Sequence, residues 1–493
     1  MQRRDPASIG PLGPGMRPSI EPALVAVVLA ALTGRLVAAL VWAPPLSGDA
    51  ADYVRLAQGL ISGAGFVGPD GLPTSWRPPL YPAFIAPVLA TEAWWGWATA
   101  LSGVRVVQAL LSTGTVVLIY RIASDVGGAR VGLWAAAIQA ASVAHIAAVS
   151  RVLSETLFTT LVVAAVACLV AGTRGGSTRR LARSLTLFAV AGGLLGLAAL
   201  TRSVAMLVPG FFVLSLFFAA ESLGISRRGA VARGAALSAA FALVLAPWTV
   251  RNFHVHGAFV PVATQGGATL YAGNHPSGGR ILGVMGDDER TRNAESMSEV
   301  EASAYLARAT VEDLKRDPGE ALRLVALKVL YLLTPEDWEL LPGSGRFNSS
   351  YAFTVVWLLA LPIGMVRPFG RQGASARSAL SPGPSEPSDP RGRSSAVGAP
   401  ASAGWRLWPA WALFGAWVAV AVVFYGSPRL RFPVEPMFSI GAAFGIAGVV
   451  RGRGARTAGG AIAASAGAAL LMLVTWDPVG VAVKSVLGAV GVW

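Results

Sequence analysis

The sequence predicts an all-α polytopic membrane protein, and three observations carry that expectation. Of 493 residues, 54% are hydrophobic and 13% charged, where an ordinary soluble domain carries about 25% charged residues. The mean hydropathy is +0.57. The apolar residues gather into runs of about 17 to 23, the length that crosses a hydrocarbon core of about 30 Å. This composition excludes a soluble enzyme with an ordinary surface, and it is too apolar for a disordered or fibrous chain.

Eleven spans follow from these runs, at 22–42, 102–122, 131–149, 152–171, 184–200, 204–220, 234–250, 351–366, 408–425, 433–450 and 458–475. The stretch 479–492 is short and reads as a twelfth span or a re-entrant tail. Arg3, Arg4 and Arg17 precede the first run and Ala-Pro-Pro follows it, as in a signal peptide. The run is longer than an ordinary signal core, so it reads as a retained anchor. Residues 319–334 are apolar but carry Arg323 and Lys328, and they read as an amphipathic helix on the outer interface.

The formal net charge is +14. In a membrane protein such an excess first reports orientation, because cytoplasmic loops collect Arg and Lys. With the N-terminus inside, the cytoplasmic segments hold 21 basic residues, and the short outer loops hold few. Nucleic acid is therefore not needed to explain the charge. The expected organisation is a cytoplasmic segment 1–21, a transmembrane module 22–250 with a long outer loop 43–101, and an extracytoplasmic segment 251–350. Span 351–366, a disordered Ser/Pro/Gly/Arg-rich cytoplasmic linker 367–407 and C-terminal spans within 408–493 follow. The single Cys168 cannot form an internal disulfide and reads as packing. The expected location is the cell membrane, multi-pass.

Ionisable residues at membrane depth are costly and mark function by default. Here they gather at the outer ends of the spans. Asp49, Asp52 and Arg77 lie in the first outer loop, and Arg35 in the outer part of the first span. Arg151 and Glu155 lie where the third and fourth spans meet, Thr201 and Arg202 between the fifth and sixth. Arg251 and Asn252 follow the seventh span; Arg429 and Arg431 precede the tenth. Carboxylates beside guanidinium groups suit a site that holds an anion and moves a proton. Blander readings stand beside this one. Asp49 after Ser47-Gly48 could cap a helix, Arg202 or Arg251 could snorkel, and Glu155 could pair with Arg151 or Arg35.

The first outer loop is too long for a plain connection. From Asp49 it reads as a helix lying on the membrane, with Asp49 and Tyr53 on one face. The turn Ser62-Gly63-Ala64-Gly65-Phe66 ends it. Trp76-Arg77-Pro78-Pro79-Leu80-Tyr81-Pro82 follows, stiffened by proline, then a short apolar helix 83–90 and the interfacial residues Trp94, Trp95 and Trp97.

This order resembles membrane glycosyltransferases of the GT-C class, in particular bacterial family 39, the relatives of protein O-mannosyltransferases and aminoarabinose transferases. Asp49 and, four residues on, Tyr53 match that family's Asp and aromatic in the first outer loop. Its usual second acid directly after the Asp is replaced by Ala50, with Asp52 two residues later. Arg77 to Tyr81 match a basic-Pro-Pro-Leu-Tyr element. Ser154-Glu155-Thr156, Leu200-Thr201-Arg202, Pro247 to Asn252, Thr264 to Asn274 and Pro428 to Pro436 match later elements in order. The resemblance implies a GT-C-like bundle of about 11–12 transmembrane helices with interfacial helices in its first outer loop.

The resemblance also implies an inverting transfer of a sugar from a polyprenyl-phosphate donor to an acceptor hydroxyl at the extracytoplasmic face. Asp49 would be the general base. Asp52 and Glu155 would orient the acceptor or a basic partner. Arg77, Arg202, Arg251, Arg429 and Arg431 are the candidates for the lipid phosphate, Arg202 and Arg431 foremost. Tyr53, Tyr81, Asn252 and Asn274 would support them. The acceptor is left open among protein, lipid and cell-wall glycan; membrane lipids are expected partners and nucleic acid is not. No cofactor is required. His145 lies in an apolar run and His254-Val255-His256 lacks placed carboxylates, so a divalent metal is unsupported. Residues 276–318 would cover the acceptor side. A transporter or lipid flippase is the alternative, predicting mid-span charges and internal symmetry; a membrane scaffold is a weaker one that leaves the long first loop unexplained.

Overall fold

The computed structural model describes residues 20–174, 178–275, 288–333 and 406–450. Among these all the regular elements are helices, with one isolated bridge between Val67 and Pro73. The first stretch forms α1 (Ile20–Val41), α2 (Asp49–Ile61), α3 (Leu80–Leu89), α4 (Glu92–Trp95), α5 (Trp97–Gly127), α6 (Ala129–Ala140), α7 (Val143–Ala148) and α8 (Glu155–Gly172). Next come α9 (Thr178–Thr201), α10 (Val208–Ala219), α11 (Arg227–His256) and α12 (Gly266–Asn274). The remainder forms α13 (Glu289–Glu295), α14 (Glu299–Arg316), α15 (Pro318–Leu333), α16 (Trp408–Val423) and α17 (Glu435–Val450).

Among the described residues five helices, within α1, α5, α8, α9 and α11, are long and apolar enough to cross a membrane. α5 has 31 residues and α11 has 30. At 1.5 Å per residue each reaches about 45 Å, enough to project beyond the hydrocarbon on at least one side. α11 thus runs six residues past the expected end at 250, and Arg251 and Asn252 sit within a helix rather than in a loop. The expected span 131–149 is interrupted, because Ser142 is extended (ψ 107°) between α6 and α7. The expected span 204–220 opens with a 3-10 turn, Ser203–Leu207, before Pro209 starts α10. The expected spans 351–366 and 458–475, the stretch 479–492, and the linker up to 405 lie outside the described residues.

The core forms where α8 and α9 pack together with α16, around Phe158, Val162, Val166, Leu169, Phe188, Leu195 and Trp417. α9 also packs along α11, and two glycines set how closely. A Cβ on Gly192 would stand 2.0 Å from the Leu237 carbonyl oxygen, and one on Gly196 2.8 Å from Val244 Cβ. This small-xxx-small spacing lets two backbones meet, as helices in a bilayer do when apolar burial cannot drive them together. Outward-facing Val25, Leu29 and Val37 on α1 and Leu243, Val250 and Phe253 on α11 are exposed, the pattern of a lipid-facing surface.

The first loop is a compact cap on the bundle. α2 is amphipathic, and Ala50, Tyr53, Val54 and Ala57 pack against Tyr81, Ile85 and Leu89 of α3 and Val104 of α5. Gly63 and Gly65, both at positive φ, turn the chain after α2. α14 starts with a reciprocal cap between Ser298 and Glu301, which satisfies two orphan donors of its first turn. α15 buries Leu324, Lys328 and Leu332 and exposes Leu322.

Candidate active site

Six side chains from four separate parts of the chain meet at one end of the bundle. Asp49 is the first residue of α2 and makes no helix cap. Its Oδ1 takes a hydrogen bond from Arg77 Nη2 at 2.8 Å, and its Oδ2 lies 3.8 Å from Arg429 Nη2. Arg77 also donates to Asp52 Oδ2 at 3.0 Å. Glu155 is the first residue of α8 and is buried. Its Oε1 accepts from Arg429 Nε at 3.0 Å and lies 3.0 Å from Arg202 Nη1. Arg429 therefore bridges the two carboxylates.

Local structure explains the convergence. Pro78 and Pro79 stiffen the chain just before α3, and Arg77 projects back over α2, with its guanidinium 5.8 Å from the Tyr53 ring centroid. Arg202 ends α9 in an extended conformation. Arg429 sits on a 3-10 turn, Pro428–Arg431, and its backbone N–H donates to the Ser427 hydroxyl that caps the turn. Ser154 ties two of these parts together: Arg202 Nη1 donates to its Oγ at 3.3 Å, and the Tyr53 hydroxyl lies 3.2 Å from it. Tyr81 packs edge-on against Tyr53 and donates to Gln108 Oε1 at 2.8 Å. Gln108 in turn holds the carbonyls of Val149 and Arg151.

The electrostatics follow. Burial pushes the Tyr53 phenol above its ordinary value, against the pull of Arg202. Burial raises Tyr81 further, so both phenols stay protonated donors. Burial works against the Arg77 charge, but Asp49 and the groups beside it outweigh it and raise its value. Arg77, Arg202 and Arg429 face Asp49, Asp52 and Glu155, so this inner set is neutral overall. Arg55 adds a further contact to Asp52 at 3.4 Å.

Two of the arginines expected at the site have other neighbours. Arg251 donates to the Thr74 and Phe66 carbonyls at 2.8 and 3.2 Å and to Ser75 Oγ at 2.7 Å, and it stacks over Trp248. Asn252 accepts from Ser75 and donates to the Val260 and Val262 carbonyls. Both fasten the first loop to α11. Arg431 pairs with buried Glu435 at 2.9 Å and donates to the Leu332 carbonyl at 2.7 Å. Arg35 is fully buried on Ser112 Oγ and the carbonyls of Ala31, Gln139 and Ala140, while the Arg151 guanidinium lies over Trp42. The ion-pair partners of Glu155 are Arg202 and Arg429, where the sequence suggested Arg151 or Arg35.

Sequence reasoning missed three groups. Ser154 was read only as part of a motif. Glu299 gathers Ser75 N–H and Thr264 Oγ1 at 3.0 and 2.8 Å, and also Thr74 Oγ1; no local signal distinguishes it from the other acids of its helix. Lys328 was read as an obstacle to a span, yet its side chain is buried on Asn274 Oδ1 at 2.6 Å.

No family model matches the chain, and no curated protein matches it in sequence. Solved structures do match in fold. The chain is similar to the oligosaccharyltransferase of Archaeoglobus fulgidus in complex with Zn and sulfate, at 14% identity and a TM-score of 0.50, covering 92% of this chain and 51% of that one. The apo form of that enzyme gives 13% identity and a TM-score of 0.50 over 92% and 54%. ArnT from Cupriavidus metallidurans bound to undecaprenyl phosphate gives 13% identity over 86% of this chain and 78% of that one, with a TM-score of 0.39. The chain spans about half the length of the archaeal enzyme. The likeness to that enzyme is one of fold, and it shows the GT-C-like helical membrane architecture the sequence led us to expect.

Proposed function

We propose that the chain is an integral-membrane glycosyltransferase that moves a sugar, hexose or pentose, from a polyprenyl-phosphate donor to an acceptor hydroxyl at the extracytoplasmic face. The observation that carries this reading is the run Arg77, Asp49, Arg429, Glu155, Arg202 at one end of the bundle. The fold shared with an oligosaccharyltransferase supports it, as does the family 39 resemblance of the motifs.

Asp49 accepts the proton of the acceptor hydroxyl, and the freed oxygen bonds to the anomeric carbon. The bond from that carbon to the phosphate oxygen breaks with its electron pair, and polyprenyl phosphate leaves. One displacement inverts the anomeric centre. A general base of this kind contributes about 10²–10⁴-fold. Arg202 and Arg429 face the departing phosphate. A guanidinium that already spans two carboxylates can exchange one for a phosphate oxygen while keeping the other, so Arg429 is preorganised for charge that develops late. Asp52 keeps Arg77 in place.

The archaeal enzyme has been solved with Zn. In this chain the residues do not fit a resident cation. Asp49, Asp52 and Glu155 are each engaged by guanidinium groups, and among the described residues no three His, Cys, Asp or Glu side chains converge. No step here passes through a metal.

A membrane assay with a panel of radiolabelled polyprenyl-phosphate sugars tests the proposal, comparing the wild type with Asp49→Asn. Transfer by the wild type and its loss in the variant are expected. Transfer that survives the substitution removes Asp49 as the base. No transfer from any donor by a folded wild type removes the reaction itself.

A further inference from the structure

The sequence holds 37 arginines and three lysines among its 40 basic residues. One of the three, Lys328, is fully buried on α15. Among the described residues no carboxylate reaches it. Its ammonium donates to Asn274 Oδ1 at 2.6 Å and to the Val422 carbonyl at 3.2 Å. The amide of Asn274 donates in turn to the Val423 and Phe424 carbonyls at 3.0 and 3.4 Å. Val422 and Val423 close α16, and the last carbonyls of a helix have no partner within it. Lys328 and Asn274 thus cap α16 from outside, and the cation lies at the negative end of the helix dipole. A compact ammonium suits this place. A guanidinium would bring five donors to a pocket that offers two acceptors.

The capped helix end leads straight into the site. Two residues beyond Phe424, Gly426 lies against the backbone of Lys328: a Cβ there would stand 2.3 Å from the Lys328 carbonyl oxygen. Three residues further on, Arg429 reaches Glu155 and Asp49. The turn then touches α15 again, where Arg431 donates to the Leu332 carbonyl. Residues 422–431 are therefore held to α12 and α15 at their start and to α15 at their end, and Arg429 projects from between the two attachments.

We infer that Lys328, with Asn274, is a positioning residue for Arg429: it fixes the 422–431 turn so that the Arg429 guanidinium lies between Asp49 and Glu155. Its consequence for catalysis rests on the transfer reaction proposed above, whereas its consequence for geometry does not. An arrangement of this kind couples the segment between α12 and α15 to the phosphate side of the site, because any shift of α15 relative to α16 moves Arg429.

The test separates the two. Full-length chain is reconstituted in nanodiscs as wild type, Lys328→Met, Arg429→Ala and the double variant, with undecaprenyl phosphate as the binding probe. In parallel, nitroxide labels at Trp94→Cys and Val423→Cys, both exposed side chains, in a Cys168→Ser background, report the distance from the tip of α4 to the start of the turn. The expected result is that Lys328→Met weakens undecaprenyl phosphate binding about tenfold when Arg429 is present and less than twofold when it is absent. The label distance should also broaden or shift. Equal weakening in both backgrounds would overturn the inference, as would an unchanged distance distribution in the folded variant. If the wild type binds no undecaprenyl phosphate, the donor reading fails, and the distance measurement alone decides the positioning role. Should Lys328→Met not fold, Lys328→Gln, which keeps a donor toward Asn274, takes its place, and a smaller weakening that disappears in the Arg429→Ala background is expected, equal weakening in both backgrounds again overturning the inference.

Discussion

Arg429 and Glu155 are 274 positions apart in sequence and meet with Nε 3.0 Å from Oε1. The pair joins the turn before α17 to the first residue of α8. Arg202 lies on the same carboxylate oxygen at 3.0 Å, so one buried Glu155 oxygen compensates two guanidinium groups. Removing a single member of a buried ionic group leaves an uncompensated charge, which costs about 3–5 kcal/mol. Glu155→Gln keeps the shape and removes the charge. It is expected to lower the unfolding midpoint by several degrees and to reduce transfer at least a hundredfold. Thermal unfolding in detergent, read alongside turnover, checks both. Normal turnover in Glu155→Gln would show that Arg202 and Arg429 do not need this anchor.

Asp49 and Asp52 give a sharper contrast. They share Arg77 and are equally exposed, 35% for each side chain. Only Asp49 also faces Arg429. Asp49→Asn should abolish transfer to within the background, a fall of about 10²–10⁴-fold, while leaving stability within about 1 kcal/mol because the group is partly exposed. Asp52→Asn should cost about tenfold or less, through a loosened Arg77. Equal losses in the two variants would mean that the carboxylates act as a pair and that the base is not assigned to Asp49.

The helices and the end at which the charges gather were legible in the sequence, because apolar period and span length report them directly. Asp49 and Arg77 could be placed together because both lie in one loop. The partners of Glu155 could not, since they arrive from α9 and from a turn 274 residues away, and no spacing rule reaches that far. Length misled in another way. Apolar runs do not show where a helix stops, so the sequence places Arg251 just past the seventh span although α11 continues to His256. The break at Ser142 is equally hidden, because one extended residue leaves the hydropathy of 131–149 unchanged.

Arg251 offers a test of that distinction. Its guanidinium spreads over two carbonyls, Ser75 Oγ and the Trp248 ring, a set that a lysine cannot reproduce. Arg251→Lys should free the loop around 66–75 and make it more sensitive to limited proteolysis. Affinity for undecaprenyl phosphate should stay within about twofold, since among the described residues no hydrogen bond or ion pair joins Arg251 to Asp49, Asp52 or Glu155. A tenfold loss of affinity with an intact loop would return Arg251 to the phosphate.

Lys328 carries a pH signature of its own. Burial lowers its ammonium from the ordinary 10.5 to about 8. Below about pH 8 the folded chain bears the full cost of keeping that charge buried. Between about 8 and 10.5 the unfolded chain binds the proton more strongly than the folded one, so stability rises with pH across that window. At about 1.4 kcal/mol per unit the gain is at most about 3.5 kcal/mol. Tyrosines with raised values, such as Tyr271 beside Asp288, act in the opposite sense near pH 10, because the unfolded chain loses those protons first. The difference between wild type and Lys328→Met removes their contribution. Unfolding midpoints at pH 7.5, 9 and 10.5 should show the wild type gaining on the variant as pH rises. A constant difference across the three values would show that the ammonium is as well solvated in the fold as in the unfolded chain.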